Sequence, residues 1–457
     1  MLFSSLVFLC IFLPFTLAVY FLLPFRFRNF FLLLASLFFY AWGEPTFLLV
    51  MIGSIVWNYL WGLAIGHSRA GAGKTALAVG TAGNLLLLFC FKYLNFSVSV
   101  ISQLSVCLGG APFKLREIFL PIGISFFTFQ SISYLVDVYR DRGMCRKNFV
   151  DIALYISLFP QLIAGPIVRY GTICLELDRR EHSFGQVADG LQRFIYGLGV
   201  KMLLANPAGA IADAVFGVPA GQLSAYQAWV GIAAYTLQIY FDFSGYSSMA
   251  IGLGKIFGFH FPENFNYPYI AGSISDFWRR WHISLSTWFR DYVYIPLGGS
   301  RVSERRTALN LLTVFFLTGI WHGAAWTFLV WGMWYGVLLL VEKFLFRNRL
   351  PGWLMRIWTL AAVVNGWVFF RSDSLGGALK YLRAMYGGNT AAGEQIMELT
   401  GYRWIVVIAA GILLALPWTG KVRDDRCWGR ILSVFILVLT ITALAKGAYN
   451  PFLYFRF

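Results

Sequence analysis

Of the chain's five histidines, His322 stands farthest from other polar sequence. It lies in ALNLLTVFFLTGIWHGAAWTFLVWG, residues 308–332, which carries no other ionisable side chain. An imidazole in so apolar a stretch is costly to leave unpaired and marks a functional site; the alternative is a histidine tying two helices together by hydrogen bonds. Gly319, Gly323, Ala324 and Ala325 keep its surroundings small enough for a substrate or a second helix to approach closely. Thr318 and Trp326, four residues to either side, are expected on the same helical face.

His282 is the natural second member of a pair, forty residues upstream and on a different helix. The alternative for it is an interfacial histidine bonded to headgroups or loop backbone. Asp242, in YTLQIYFDFSGYSSMAIG, is the other ionisable group well inside an apolar segment. A cation such as Arg279, Arg280 or Arg290 would keep it charged, as a structural ion pair or as part of the site. Asn264, Asn266 and Tyr267 in FPENFNYPY offer hydrogen bonds at a pocket mouth, though such residues are also ordinary in loops. His67, His182 and His260 stand near charged or polar loops and take no role.

The element that must position His282 is GSISDFWRRWHISLSTWFRDYVYIPLGGS, residues 272–300. At about 100° per residue, Trp278, Trp281, Leu285, Trp288 and Tyr292 fall within about 80° of one another, with Arg279, Arg290 and Ser286 on a neighbouring face. Ser275 followed by Asp276 supplies an N-terminal cap, and Pro296 with Gly298 and Gly299 ends the segment. Both an interfacial helix and a re-entrant helix lining a polar funnel fit this pattern.

These elements sit in a membrane protein. The 457 residues are 58% apolar and 13% charged, against roughly 45–50% and about 25% in soluble domains. Apolar runs recur at about 1–25, 30–43, 46–66, 75–94, 118–136, 151–168, 190–206, 225–257, 308–341, 357–370, 402–417 and 431–448. A spanning helix needs about 20 such residues, so roughly ten to twelve membrane helices are expected in one domain, 1–457, with little room for a soluble part. The first run precedes its first basic residues, Arg26 and Arg28, which reads as a retained helix with its N-terminus outside. The net charge of +16 comes largely from short basic interruptions, including Arg301, Arg305 and Arg306, and Lys421, Arg423, Arg426 and Arg430. That means topology and anionic lipid contact rather than nucleic acid. Six scattered cysteines form neither a disulfide framework nor a zinc site. AGAGKTAL at 70–77 lacks the first glycine of a phosphate loop, and no GxSxG or HExxH occurs, so neither a serine hydrolase nor a zinc enzyme is indicated.

QIYFDFSGYSSMAIGLGKIFGF, PENFNYPYIAGSISDFWRRWHISLSTWFRDYVYIPLGGSR, LTGIWHGAAWTFLVWG and the final NPFLYFRF resemble the membrane-bound O-acyltransferase family, nearest its alginate O-acetyltransferase branch. The match is close over residues 115–340. The WRRWHISLSTWFRDY and GIWHGA blocks together are highly specific. The chain departs in having Ser248 where the FDFSGYS block commonly continues with Asp, and it is unlike the teichoic acid D-alanylation branch after RDY.

The resemblance implies an all-helical fold of about eleven membrane helices around a central polar funnel, with the catalytic histidine at His322 and a second functional histidine at His282. It also implies an acyl group taken from a cytoplasmic thioester, commonly acetyl-CoA, and delivered toward an extracytoplasmic polymer with a separate extracytoplasmic acyltransferase as partner. Acetyl-CoA is a donor substrate; no permanently bound cofactor or metal is expected. A neutral imidazole with pKa near ~6.5 suits removal of a hydroxyl proton, so His322 is the expected base. His282 would polarise the thioester carbonyl or orient the acceptor, with Arg279, Arg280 or Arg290 attracting donor phosphates. Asp242, Asn264, Trp278, Asp291, Thr318 and Trp326 complete the expected substrate-binding set. The rival class is a proton-coupled transporter using Asp242, His282 and His322 as a pathway, and a third reading is a membrane scaffold. The bacterial inner membrane is the expected location.

Overall fold

A computed structural model describes residues 1–457 except 70, 347–349, 390–401, 418–425, 448 and 452–457. Lys421, Arg423 and the last six residues of NPFLYFRF lie outside the described residues. The described chain is helical, with no strand. Among the described residues, six helices can cross a membrane by length and composition: Leu48–Gly66, Ala72–Cys107, Phe184–Phe216, Trp326–Phe346, Gly352–Arg371 and Trp428–Ala445. Phe8–Leu22 and Arg403–Leu414 are shorter apolar helices. Phe25–Gly43, Ala225–Ile256 and Glu304–His322 are 19, 32 and 19 residues long but fall outside the six on composition. The protein is an integral membrane protein, although this measure does not reproduce a count of eleven spans. An apolar run is not always one helix: 308–341 is cut at Gly323–Ala325, and 151–168 at Leu158.

The chain clusters into two units, residues 1–190 with 253–262, and residues 191–252 with 263–457. In the first, Asn58 and Asn84 exchange side-chain hydrogen bonds of 3.0 and 2.7 Å, joining Leu48–Gly66 to Ala72–Leu88. Such amide pairs hold helices together where lipid supplies no hydrophobic drive. A Cβ on Gly62 would fall 2.3 Å from the Tyr134 hydroxyl oxygen, so Ile124–Arg140 packs directly on the backbone of Leu48–Gly66.

In the second unit, Gly197 and Gly245 bring two helices into backbone contact: a Cβ on either would lie 2.5 or 2.8 Å from the other's carbonyl oxygen. That crossing sets Lys201 opposite Asp242, with Nζ 2.8 Å from Oδ1 and side chains 2% and 4% exposed. Lys201 Nζ also donates to Asn206 Oδ1 at 2.8 Å and to the Pro451 carbonyl. Asp242 therefore has a cationic partner, but it is not one of the arginines of 279–290. The glycine crossing brings Lys201 to it from the preceding helix instead.

Removing one member of a buried pair leaves an uncompensated charge, which costs about 3–5 kcal/mol. Lys201→Met should therefore lower the thermal unfolding temperature of the detergent-solubilised protein sharply. An unchanged midpoint would show that the pair carries no weight.

Candidate active site

The segment that carries His282 starts at a double cap. Ser273 Oγ accepts from Asp276 N at 3.0 Å while Asp276 Oδ2 accepts from Gly272 N at 3.1 Å. Glu342 adds its carboxylate, accepting from Ile274 N at 2.7 Å and Ser275 N at 3.3 Å. The cap is thus Ser273 rather than Ser275, two residues earlier than expected. Helix Ile274–Arg280 follows, and then the chain breaks: His282 takes a left-handed conformation, φ 44° and ψ 53°, before Ile283–Phe289 begins. The single amphipathic helix drawn over 272–300 is therefore two short helices. Trp278, Trp281, Leu285 and Trp288 are all buried nonetheless: Trp278 and Trp281 join one aromatic core, while Trp288 packs against Phe289 and Tyr292. Gly298 and Gly299, both at positive φ, close the segment where expected.

The break is stitched to the loop 264–266. Asn266 N donates to Arg280 O at 2.9 Å, Ile283 N to Asn264 O at 3.0 Å, and Ser284 N to Asn264 Oδ1 at 3.2 Å. Asn264, expected at a pocket mouth, is 1% exposed and lies beneath His282, whose Nδ1 is 3.1 Å from Oδ1. Its Nδ2 donates to Ser247 Oγ at 3.0 Å. From the FDFSGYS block it is thus Ser247 that reaches this network.

His322 is the last residue of Glu304–His322, and the chain turns at Gly323–Ala325 into Trp326–Leu340. These two helices touch through backbone: a Cβ on Gly319 would fall 2.5 Å from Phe328 O, and one on Gly332 2.3 Å from Phe315 O. The small residues around His322 thus serve a neighbouring helix. The turn separates Trp326, 49% exposed, from the face of Thr318, whose Oγ1 bonds back to Val314 O at 2.8 Å. The two do not share the helical face expected of them.

Both imidazoles are buried, His282 at 0% and His322 at 6%. Their ring centroids lie 6.4 Å apart, on the order of the span that one substrate oxygen hydrogen-bonded to both rings needs. Aromatic rings enclose them: Trp321, Trp331 and Phe370 stand edge-on to His322 at 4.8, 4.8 and 5.2 Å, and Phe243 to His282 at 4.7 Å. Trp278 belongs to the wall behind, against Phe315, Trp331 and Tyr335 at 5.3, 5.8 and 5.0 Å. His282 lies outside the six spanning helices, and its burial disfavours the charged imidazolium, holding the ring neutral. Of the cations expected for donor phosphates, Arg279 and Arg290 are exposed, while Arg280 pairs with Asp276 at 2.9 Å and Arg290 with Asp291 at 2.7 Å.

Sequence reasoning missed Ser284, Ser247, Glu342 and Lys201. Lys201 carried a signal, standing as the lone ionisable residue between Arg193 and Asp213; the other three carried none.

Residues 142–371 match the model of the membrane-bound O-acyltransferase family. A probable alginate O-acetylase of Pseudomonas aeruginosa is 44% identical over 91% of this chain and 81% of its own length. A peptidoglycan O-acetyltransferase of Helicobacter pylori is 38% identical over 85% of this chain and 80% of its own. A teichoic acid D-alanyltransferase of Bacillus subtilis is 30% identical over 53% and 65%. The chain belongs to the membrane-bound O-acyltransferase family and is an O-acyltransferase.

Overpacking the Gly319–Gly332 crossing should separate the helices that place His322. Gly332→Val is expected to cost about 1–3 kcal/mol and to abolish turnover. Gly352→Ala, whose Cβ meets nothing within 4 Å, should leave both the unfolding temperature and turnover unchanged.

Proposed function

We propose that the protein transfers an acetyl group from a cytoplasmic thioester, acetyl-CoA, toward an extracytoplasmic polysaccharide such as alginate. Delivery is direct or through a partner acyltransferase outside the membrane, and the location is the bacterial inner membrane with the N-terminus outside. The observation that carries this reading is the pair of buried imidazoles, His282 and His322, drawn from two separate elements into one aromatic enclosure. The names of the relatives support acetyl as the group and a polysaccharide as its destination.

The chemistry asks little more of the protein than two such groups. One imidazole takes the hydroxyl proton as the oxygen attacks the thioester carbonyl, the C–S bond breaks, and the proton passes to the departing thiolate. A positioned base of this kind contributes roughly 10²–10⁴-fold. The aromatic enclosure keeps water from hydrolysing the thioester. The exposed Arg279 and Arg290 suit the donor's phosphates. A D-alanyl or other acyl group carried to a different envelope polymer would use the same two histidines, and the peptidoglycan and teichoic acid relatives favour that as the second reading.

The test offers purified protein acetyl-CoA labelled on the acetyl group, with polysaccharide and a candidate partner present. Wild type should release CoA and pass on the label, and His322→Ala at matched folding should lose at least about 10²-fold of both. A folded His322→Ala protein that keeps most of its turnover would remove His322 from the site. No release by wild type would overturn acetyl-CoA as donor, and transfer from a D-alanyl thioester instead would establish the second reading.

A further inference from the structure

Helix Ile274–Arg280 leads into the break that carries His282, and its first turn is held in two different ways. The N–H of Asp276 goes to Ser273 Oγ at 3.0 Å, and that of Gly272 to Asp276 Oδ2 at 3.1 Å. Both acceptors belong to the segment itself, so they shape the turn without fixing where it sits. The N–H groups of Ile274 and Ser275 go instead to Glu342, which lies 68 residues beyond Ile274. Its Oε2 accepts from Ile274 N at 2.7 Å and its Oε1 from Ser275 N at 3.3 Å. A first helical turn leaves its N–H groups without partners inside the helix. A carboxylate that takes one with each oxygen fixes the direction of the turn as well as its place.

Glu342 stands in Val341–Phe346, the continuation of helix Trp326–Leu340. That helix meets Glu304–His322 backbone to backbone at Gly319 and Gly332, and its Trp331 stands edge-on to His322 at 4.8 Å. One hairpin therefore bears His322 at its turn and Glu342 near its far end. Helix Ile274–Arg280 lies along it. Glu342 holds the start, Trp278 meets Trp331 and Tyr335 at 5.8 and 5.0 Å, and His282 follows the end, 6.4 Å from His322 between ring centroids. Ring contacts are favourable over centroid separations of about 4.5–7 Å, so they tolerate sliding along the hairpin. Hydrogen bonds from two successive backbone N–H groups to one carboxylate do not.

We propose that Glu342 is a positioning residue that sets the register of His282 against His322. It acts through helix Ile274–Arg280, by pinning the start of that helix to the hairpin that ends in His322. Its effect on turnover rests on the acyl-transfer reading above; its effect on the place of His282 does not. A misplacement of about 1 Å at a reacting centre costs on the order of 10²-fold in rate. A carboxylate remote from the chemistry thus reaches turnover through the position of one imidazole.

The test reads position and turnover separately. In protein labelled with ¹⁵N-histidine, the His282 resonances are those missing from His282→Gln. Glu342→Ala should shift them and leave those of the exposed His67 and His260 in place. At matched folding it should also lower kcat by about 10²-fold, with KM for acetyl-CoA unchanged. Glu342→Gln keeps one acceptor oxygen but turns an NH₂ toward the second backbone N–H, and should fall between wild type and Glu342→Ala in both readings. If Glu342→Ala does not fold, Glu342→Gln decides by the same two readings. A cap that only stabilises its helix would lower the unfolding temperature and leave the His282 resonances and kcat of the folded protein as they were, which overturns the proposal. A loss carried by KM alone overturns it too, because Glu342 would then serve donor binding. If wild type transfers no acetyl group at all, the acyl-donor reading fails on its own, while the ¹⁵N spectra still decide whether Glu342 places His282.

Discussion

Three polar groups converge on one buried oxygen, Oδ1 of Asn264: the Ser284 amide, the Ser284 hydroxyl and His282 Nδ1. Much of the site's local geometry follows from that convergence. A non-glycine residue in the left-handed region costs on the order of 1–3 kcal/mol, and His282 sits there at φ 44°. Hydrogen bonds worth about 0.5–1.5 kcal/mol each to Asn264 and its carbonyl do offset it, and they hold the chain open between two short helices. Without the break, residues 274–289 would run as one helix. His282 would then lie at the edge of its apolar stripe rather than on the loop at 264–266.

The second constraint is the close approach of helix backbones. Where lipid replaces water there is no hydrophobic gain in pressing apolar helices together, so packing contact and polar bonds must hold them. At Gly197 with Gly245, and again at Gly319 with Gly332, the glycines let two backbones meet. Each crossing carries a polar group of the second unit. The first sets Lys201 against Asp242 and so anchors the helix whose Phe243 stands edge-on to His282. The second fixes the end of Glu304–His322, and with it His322. Charge and chemistry are kept apart: the buried ion pair is satisfied by Lys201, Asn206 and the Pro451 carbonyl, while the histidines are surrounded by rings.

What could be read from the sequence follows this division. His322 stood out because a polar side chain in apolar sequence needs a reason, and His282 as its natural second member on a different element; the structure brings them together. Asn264 was visible as a residue type but not as a partner, since nothing in FPENFNYPY shows that its amide turns inward toward a residue eighteen positions on. The break at Trp281–His282 was invisible for a related reason. An amphipathic stripe at 3.6 spacing fits one helix or two, and only the tertiary bonds of the loop choose between them. Trp326 was misplaced because an unbroken apolar run looks like an unbroken helix, and Gly323 to Ala325 turn the chain without any charged residue to mark the place. The partner of Asp242 was expected among Arg279, Arg280 and Arg290 because nothing in the sequence announces where glycines let helices cross. Lys201 could have been found by the rule that found Asp242, a lone charge in an apolar run.

The arrangement also explains why arginines surround the segment without entering the site. A guanidinium inside the aromatic enclosure would disfavour a protonated imidazole beside it and raise the cost of proton transfer. Arg280 is instead held by Asp276 and Arg290 by Asp291, and Arg279 is exposed. The interior is left with neutral donors and acceptors: two imidazoles, an amide and two serine hydroxyls. In such surroundings a charge that appears only during reaction is stabilised by oriented dipoles rather than by a standing ion. The amide of Asn264 is one such dipole, with its oxygen 3.1 Å from His282 Nδ1.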